Sequence, residues 1–355
     1  MYTDESLAGF GVRVSQGGVK TFVLVHPRTR TPMTIGRYPV VKLQQARQKA
    51  TQLLAERTLG KDEAPKIGFE EALDAFVGAH LVSKREGTAK ETKRLLNKHF
   101  LSKLRYEKLH QIPTHTVTKI IDGLLETPSE AMHAYAAARL FFRWAVQRRL
   151  LAKSPLEGVP PPAKSVPRAR VLSPEELAKI FRAVEAEQSS FGSIVQLLIL
   201  LGQRCGETAR LTAEMIDFDQ GLITLPAAAT KNGREHRFPF GRMAKRVLQA
   251  GAREGLLFPA RGGEEVFSGW SKCKKALDTK CKISPWTLHD LRRTFATNLA
   301  ALGTPIQVTE KLLNHVSGAT GGIVAVYQRH TYEAEMRDAI SRWETHLRSL
   351  LKQSG

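Results

Sequence analysis

The sequence predicts a mainly α protein with small β elements, an α+β chain built from several domains. Three observations carry that reading. The chain has 355 residues, too many for one ordinary domain, and 42% of them are apolar, enough for real cores. Helical periodicity dominates from residue 67 onward, interrupted only by short apolar and β-branched runs. A proline-rich stretch at residues 153–172 separates two periodic regions.

Residues 1–62 read as a small three-stranded sheet followed by a helix. Residues 10–14 and 21–25 are apolar, β-branched runs with Gly17 and Gly18 between them, the pattern of a hairpin. Residues 33–36 supply a third strand after a basic turn holding Arg28 and Arg30, and residues 43–59 show helical apolar spacing up to Gly60. Residues 66–152 read as a helical domain. Phe69, Leu73, Phe76, Val77 and Leu81 share one face of its first helix, and further helices are expected near 88–104, 114–125 and 130–151. Lys90, Lys93, Arg94, Lys98 and Lys103 crowd the second of them. In residues 153–172, Pro155, Pro160, Pro161, Pro162 and Pro167 exclude helix and sheet ladders, and Lys153, Lys164, Arg168 and Arg170 make the linker basic. Residues 173–355 form the last domain. It starts at Ser173-Pro174-Glu175-Glu176, which combines a cap, a proline in the first turn and acidic residues against the positive helix end. The domain is mostly helical, with a small antiparallel sheet expected from residues 222–225, 228–231 and 236–238. Its tail, 332–350, reads as a helix with Met336, Ile340, Trp343 and Leu347 on one stripe.

Charge narrows the partners. Lys and Arg number 54 against 34 Asp and Glu, a net charge of +20, and the isoelectric point is about 10.1. Such a chain is drawn to polyanions, because each neutralised phosphate releases a condensed counterion. Nucleic acid leads an anionic membrane surface as partner, since there is no apolar run long enough to span a bilayer and no long basic amphipathic helix. Arg28, Arg30, Lys90, Lys93, Arg94, Lys98, Lys164, Arg168 and Arg170 are the candidate DNA contacts; a solvated charged face is the plainer reading of each. Cys205, Cys273 and Cys281 fit neither a disulfide framework nor zinc spacing, and the start of the chain lacks a secretory pattern, so a reducing cytoplasm is expected.

Four places in the last domain carry chemistry. Arg204 follows the apolar run 194–201, flanked by Gly202 and Gly206; an ion pair with Glu207 is its structural reading. Lys231-Asn232-Gly233 lies between two expected strands, and Asn-Gly would present Lys231 at a hairpin tip. His289 and Arg292, three apart, point together from one helix face; one can move a proton near neutral pH, the other can grip two phosphate oxygens. His315 follows Leu312-Leu313-Asn314, and Tyr327 sits in Val326-Tyr327-Gln328-Arg329-His330. Alone, Tyr327 would be read as a core residue.

Together, the order Arg, Lys in a hairpin, His-x-x-Arg, His, Tyr resembles that of the tyrosine recombinases, the phage-type integrases. The similarity covers the last domain and extends to the linker and to residues 66–152, which resemble that family's core-binding domain. Residues 9–14, 35–39 and Ala46-Arg47 are similar to the arm-type DNA-binding domain of integrases carried by satellite prophages and genomic islands. The chain begins partway into that pattern, so a shortened first domain is expected. Gly202-Gln203 stands where Thr-Gly is frequent.

The resemblance implies a mechanism. Tyr327 attacks a DNA phosphodiester and forms a 3′-phosphotyrosyl link, releasing a 5′-hydroxyl. His289 is the expected general base. Arg204 and Arg292 hold the non-bridging oxygens, Lys231 protonates the leaving oxygen, and His315 donates a hydrogen bond to the phosphate. Glu207 is expected to brace the site. No metal or nucleotide cofactor is implied, because two arginines and a lysine supply the electrostatics and the covalent link conserves bond energy. Tyr332 is a rival nucleophile ranked below Tyr327. Expected partners are double-stranded DNA attachment sites, further copies of the chain as a tetramer, a DNA-bending protein and an excision factor. The family's tail helix packs on a neighbouring subunit; packing on its own domain is the alternative. A type IB-like topoisomerase and a non-catalytic DNA-binding regulator are the competing functions.

Overall fold

The structure is a computed structural model that describes residues 1–25, 30–58, 66–163, 168–251, 254–283, 285–315 and 330–353. Arg28, Lys164 and Tyr327 lie outside the described residues. The chain divides into two compact units, Met1–Val166 and Pro167–Gly355. The division falls inside the proline-rich stretch.

The first unit opens with an antiparallel sheet in the order β1 (Tyr2–Thr3), β2 (Phe10–Val14), β3 (Lys20–Val25), β4 (Pro32–Arg37). Three strands were expected; β1 is a fourth. It pairs Tyr2 with Val12 and Thr3 with Gly11. A Cβ at Gly11 would sit 2.4 Å from the Tyr2 carbonyl oxygen, so glycine admits the close approach of the two strands. Helix α1 (Leu43–Thr58) follows, and its Ala46 and Ala50 pack on Phe10, Phe22 and Leu24 of the sheet.

A second apolar cluster in this unit belongs to helices. These are α2 (Phe69–Ala79), α3 (Glu86–Leu95), a π-helical turn (Leu96–Leu101), α4 (Ser102–Leu104), α5 (Thr114–Asp122) and α6 (Pro128–Gln147). Phe69, Phe76, Phe141 and Trp144 stack edge to face at its centre, with Phe76 5.5 Å from Phe141 and 5.4 Å from Trp144. The helix expected at 88–104 is thus one rod with a wide turn in its middle. Its charge is less one-sided than the sequence suggests. Glu130, at the start of α6, reaches back to Arg94 at 3.0 Å, Lys98 at 3.2 Å and His99 at 2.8 Å.

The second unit is built around α8 (Ser190–Leu201), apolar on every side and buried from Ile194 to Leu201 except at Gln196. Before it comes α7 (Pro174–Glu185). Its capping box is complete: Ser173 Oγ accepts the Glu176 N–H at 3.2 Å and Glu176 Oε2 accepts the Ser173 N–H at 2.8 Å. After α8 come α9 (Cys205–Thr208), then a three-stranded antiparallel sheet of β5 (Ile216–Asp217), β6 (Leu222–Leu225) and β7 (His236–Pro239). The strand expected at 228–231 does not form. Pro226 leads Ala227–Ala229 into a 3-10 turn, a run with no β-branched side chain to favour a strand. The third strand is β5 instead, and Lys231 lies in a ten-residue loop rather than at a two-residue hairpin tip.

The rest is helical: α10 (Arg242–Gln249), α11 (Trp270–Cys281), α12 (Leu288–Ala301), α13 (Ile306–Leu312) and α14 (Glu333–Gln353). The stripe Met336, Ile340, Trp343 and Leu347 on α14 is buried in the core of its own unit, so the tail does not offer that face to a neighbour. Trp343 Nε1–H donates to the Ile199 carbonyl of α8 at 3.0 Å. Glu344 accepts the N–H groups of Met243 and Ala244 at 2.9 and 3.1 Å, capping α10. Among the described residues no helix is long and apolar enough to cross a membrane.

Candidate active site

The end of α8 sets the first position. Gly202 takes a left-handed conformation at φ 66°, and a Cβ there would lie 2.3 Å from the Phe295 ring. Glycine is therefore required twice over, by backbone and by space. Its carbonyl accepts Arg292 Nη1–H at 2.9 Å. Two residues on, Arg204 is held by Glu207 at 3.1 Å. Glu207 is buried and also accepts the backbone N–H of Lys231 at 2.8 Å. One carboxylate thus braces both the arginine and the lysine loop. The side chain of Lys231 is exposed.

Helix α12 sets the next pair. Thr287 and Asp290 form its capping box, with Thr287 N–H donating to Asp290 at 2.8 Å. Asp290 is fully buried. Burial alone would raise its pKa, but hydrogen bonds from Thr287 and the cations Arg168 and Arg293 outweigh it and hold the carboxylate ionised. His289 and Arg292 then project one turn apart. His289 lies at the surface; partial desolvation, with Arg293 and Arg292 nearby, lowers its pKa below the ordinary value of 6.5. Arg292 is only 4% exposed and has no carboxylate partner among the described residues. Burial, with Arg204 beside it, brings its pKa down to about 10, so it stays charged at neutral pH.

Arg204 and Arg292 meet at the C-terminal end of α13, where the last carbonyls lack partners within the helix and the dipole is negative. The Leu312 carbonyl accepts Gln203 Nε2–H at 2.8 Å and lies 3.1 Å from His236 Nε2. The Leu313 carbonyl accepts Arg292 Nη2–H. The Asn314 carbonyl accepts Arg204 Nη2–H at 3.3 Å and Asn232 Nδ2–H at 3.0 Å. His315 follows, half-buried, with Nδ1 3.0 Å from Glu310. His236 is buried against Phe238; desolvation pushes its pKa down to about 4, so its ring is neutral and serves as a donor. A strand, a loop, two helix termini and α12 therefore fix one short segment, residues 312–315, between two arginines. Guanidinium groups so placed suit an anion with several oxygens.

Residues 170–334 match the Phage integrase family and residues 2–67 match an Arm DNA-binding domain. Residues 170–334 form a tyrosine recombinase domain of the phage integrase family. Recombinases of this family cleave and rejoin DNA. The chain is 26% identical over 370 residues to the prophage integrase IntZ of Escherichia coli (strain K12), covering 94% of this chain and 91% of that protein. It is also 26% identical over 204 residues to the tyrosine recombinase XerD of Pseudomonas putida, covering 53% of this chain and 67% of that one. Its fold is similar to that of a lambda integrase dimer bound to a COC′ core site. The TM-score is 0.58 at 19% identity, over 93% of this chain and 97% of that one.

Of the candidate catalytic residues in this domain, Arg204, Arg292 and His315 gather at the α13 terminus, and Lys231 is linked to them through Glu207. His289 stands one turn before Arg292. Tyr327 lies outside the described residues. The candidate DNA contacts are spread more widely. Arg30, Lys90 and Lys93 are exposed in the first unit, where Arg94 and Lys98 pair with Glu130. Arg168 pairs with Asp290 at 3.0 Å and Arg170 with Glu176 at 2.5 Å, so both are tied within the second unit. Sequence reasoning missed Gln203, His236, Asn232 and Asn314. The signal available for Asn314 was its place after an apolar helix end, where asparagine tolerates the left-handed conformation it adopts at φ 49°.

Proposed function

We propose that this chain is a site-specific integrase that inserts or excises a mobile element by cutting one DNA strand at a time through Tyr327. The Tyr327 oxygen bonds to phosphorus, the P–O5′ bond breaks, and a 3′-phosphotyrosyl link remains. His289 takes the tyrosine proton; its lowered pKa keeps it neutral and able to do so. Arg204 and Arg292 stabilise the charge that builds on the non-bridging oxygens, with His315 as a further donor. Lys231 gives a proton to the departing 5′-oxygen. Rejoining reverses these steps without ATP, and no metal is called for.

The observation that carries this reading is the convergence of Arg204 and Arg292, from different elements, on residues 312–315. Arginine has five donors, and two of those on Arg292 are accounted for by carbonyls of Gly202 and Leu313.

Residues 1–62 would bind arm-type sites through Arg28 and Arg30, and residues 66–152 the core site through Lys90 and Lys93. Arg94, Lys98, Arg168 and Arg170 already have carboxylate partners and come second; Lys164 would follow the duplex from the linker. The Arm DNA-binding match favours an integrase over a topoisomerase. A lambda integrase tetramer bound to a Holliday junction has a similar fold, which supports four copies on DNA attachment sites. A DNA-bending protein and an excision factor would complete the assembly, in the cytoplasm at the nucleoid.

The test is covalent trapping. The chain and its Tyr327→Phe variant are incubated with a nicked suicide duplex, without metal or ATP, and quenched in detergent. The wild type should leave protein on the DNA 3′ end and the variant none; an adduct of equal yield in both would overturn the assignment.

A further inference from the structure

The loop that carries Lys231 and the helix end that carries His315 are joined by two asparagines outside the proposed chemistry. Asn232 Nδ2 lies 2.8 Å from Asn314 Oδ1 and 3.0 Å from the Asn314 carbonyl oxygen. Asn314 Nδ2 lies 3.3 Å from Asn232 Oδ1, closing a reciprocal amide pair. Both side chains are half-buried. The Asn232 amide is oriented by further contacts. Asn232 Oδ1 accepts the Arg234 N–H at 3.2 Å and is the same distance from Thr230 Oγ1. Asn314 is held in its left-handed conformation at the end of α13.

The pair sits at a telling place in the chain. Asn232 follows Lys231 directly, and Asn314 precedes His315 directly. Between β6 and β7 the loop has no ladder partner; Thr230 Oγ1 bonds it internally to Ala227 and Arg234, and other bonds tie it to the rest of the unit. One is the Lys231 N–H to Glu207 bond; the amide pair is another. A lysine side chain carries four rotatable bonds and about 2 kcal/mol of rotamer entropy. As a general acid it must come within hydrogen-bond reach of the leaving oxygen, and a misplacement of about 1 Å costs on the order of 10²-fold in rate.

We infer that the Asn232–Asn314 amide pair is a latch that positions Lys231 for protonation of the leaving 5′-oxygen. The inference rests on the role proposed for Lys231. Asn232 and Asn314 are positioning residues, since neither touches the reacting atoms. The latch ties proton delivery to the seating of the helix end that holds Arg204, Arg292 and His315.

A sulfur substitution isolates that step. In a nicked duplex on which the wild type forms its adduct, the bridging 5′-oxygen at the cleaved phosphate is replaced by sulfur. A thiol has a pKa of about 8.5, so the thiolate departs without a proton. Lys231→Ala should slow cleavage of the oxygen duplex by about 10²–10⁴-fold and restore most of the rate on sulfur. Asn232→Asp keeps the acceptor for Arg234 and removes the donor to Asn314; Asn314→Gly keeps the positive φ and removes the side chain. Each should slow the oxygen duplex by about tenfold or more and cleave the sulfur duplex within about threefold of wild type. Equal losses on both duplexes, or no loss on either, would overturn the latch. If Lys231→Ala is rescued by sulfur and the asparagine variants are not, the latch alone fails. If Lys231→Ala is not rescued, the assignment of Lys231 fails first. Wild-type cleavage of the sulfur duplex also shows that a variant is folded.

Discussion

His289 and Arg292 show how much a residue's neighbours decide. Both stand on α12, yet one lies at the surface and the other is buried against two carbonyls. Partial desolvation, together with the surrounding cations, disfavours a charged imidazole, so the folded pKa of His289 lies below 6.5. A base must be neutral, and a lowered pKa keeps it neutral further into acid. The acid limb of kcat/KM for strand cleavage should therefore fall at a pH below 6.5 and disappear in His289→Gln. An acid limb centred at or above the ordinary histidine value would contradict the assignment. Arg204, Lys231, His289, Arg292 and His315 were visible in the sequence because their side chains are chemically distinctive and come in a recognisable order. Gln203, His236 and Asn232 were not. Their partners are carbonyls 76 to 109 residues away, and no local pattern encodes a hydrogen bond to a distant helix end.

At the scale of elements, most helices were legible because buried residues recur at helical spacing, as Phe69, Leu73 and Phe76 do on α2. Some strands were not. Strands β1 and β5 have two residues each, too short for any period, and the strand expected at 228–231 does not form, because the chain enters a 3-10 turn at Ala227–Ala229, where alanine has no side-chain reason to be a strand. The tail helix was legible as a helix but its partner was not, because an apolar stripe does not say which surface covers it. Trp343 answers that: it is fully buried and bonded to Ile199 within its own unit. Trp343→Ala should destabilise the chain by about 3–5 kcal/mol. The loss in melting temperature should be independent of protein concentration, since no neighbour is involved. A loss that shrinks on dilution would show instead that α14 packs between copies.

For the whole molecule, charge and order of motifs spoke more plainly than any single residue. A net charge of +20 pointed to a polyanion, and the two family matches at residues 2–67 and 170–334 fall on the first and last of the domains read from periodicity. What the sequence could not give was the way separate elements converge on residues 312–315, because that depends on contacts between α8, α12, α13 and the β6–β7 loop. If this convergence serves a phosphotyrosyl bond to Tyr327, as proposed, digesting the trapped protein–DNA adduct and locating the nucleotide-bearing residue by mass spectrometry should find the nucleotide on Tyr327. A nucleotide on Tyr332, whose ring packs beside His330 at 4.5 Å, or on any serine, would contradict the proposal.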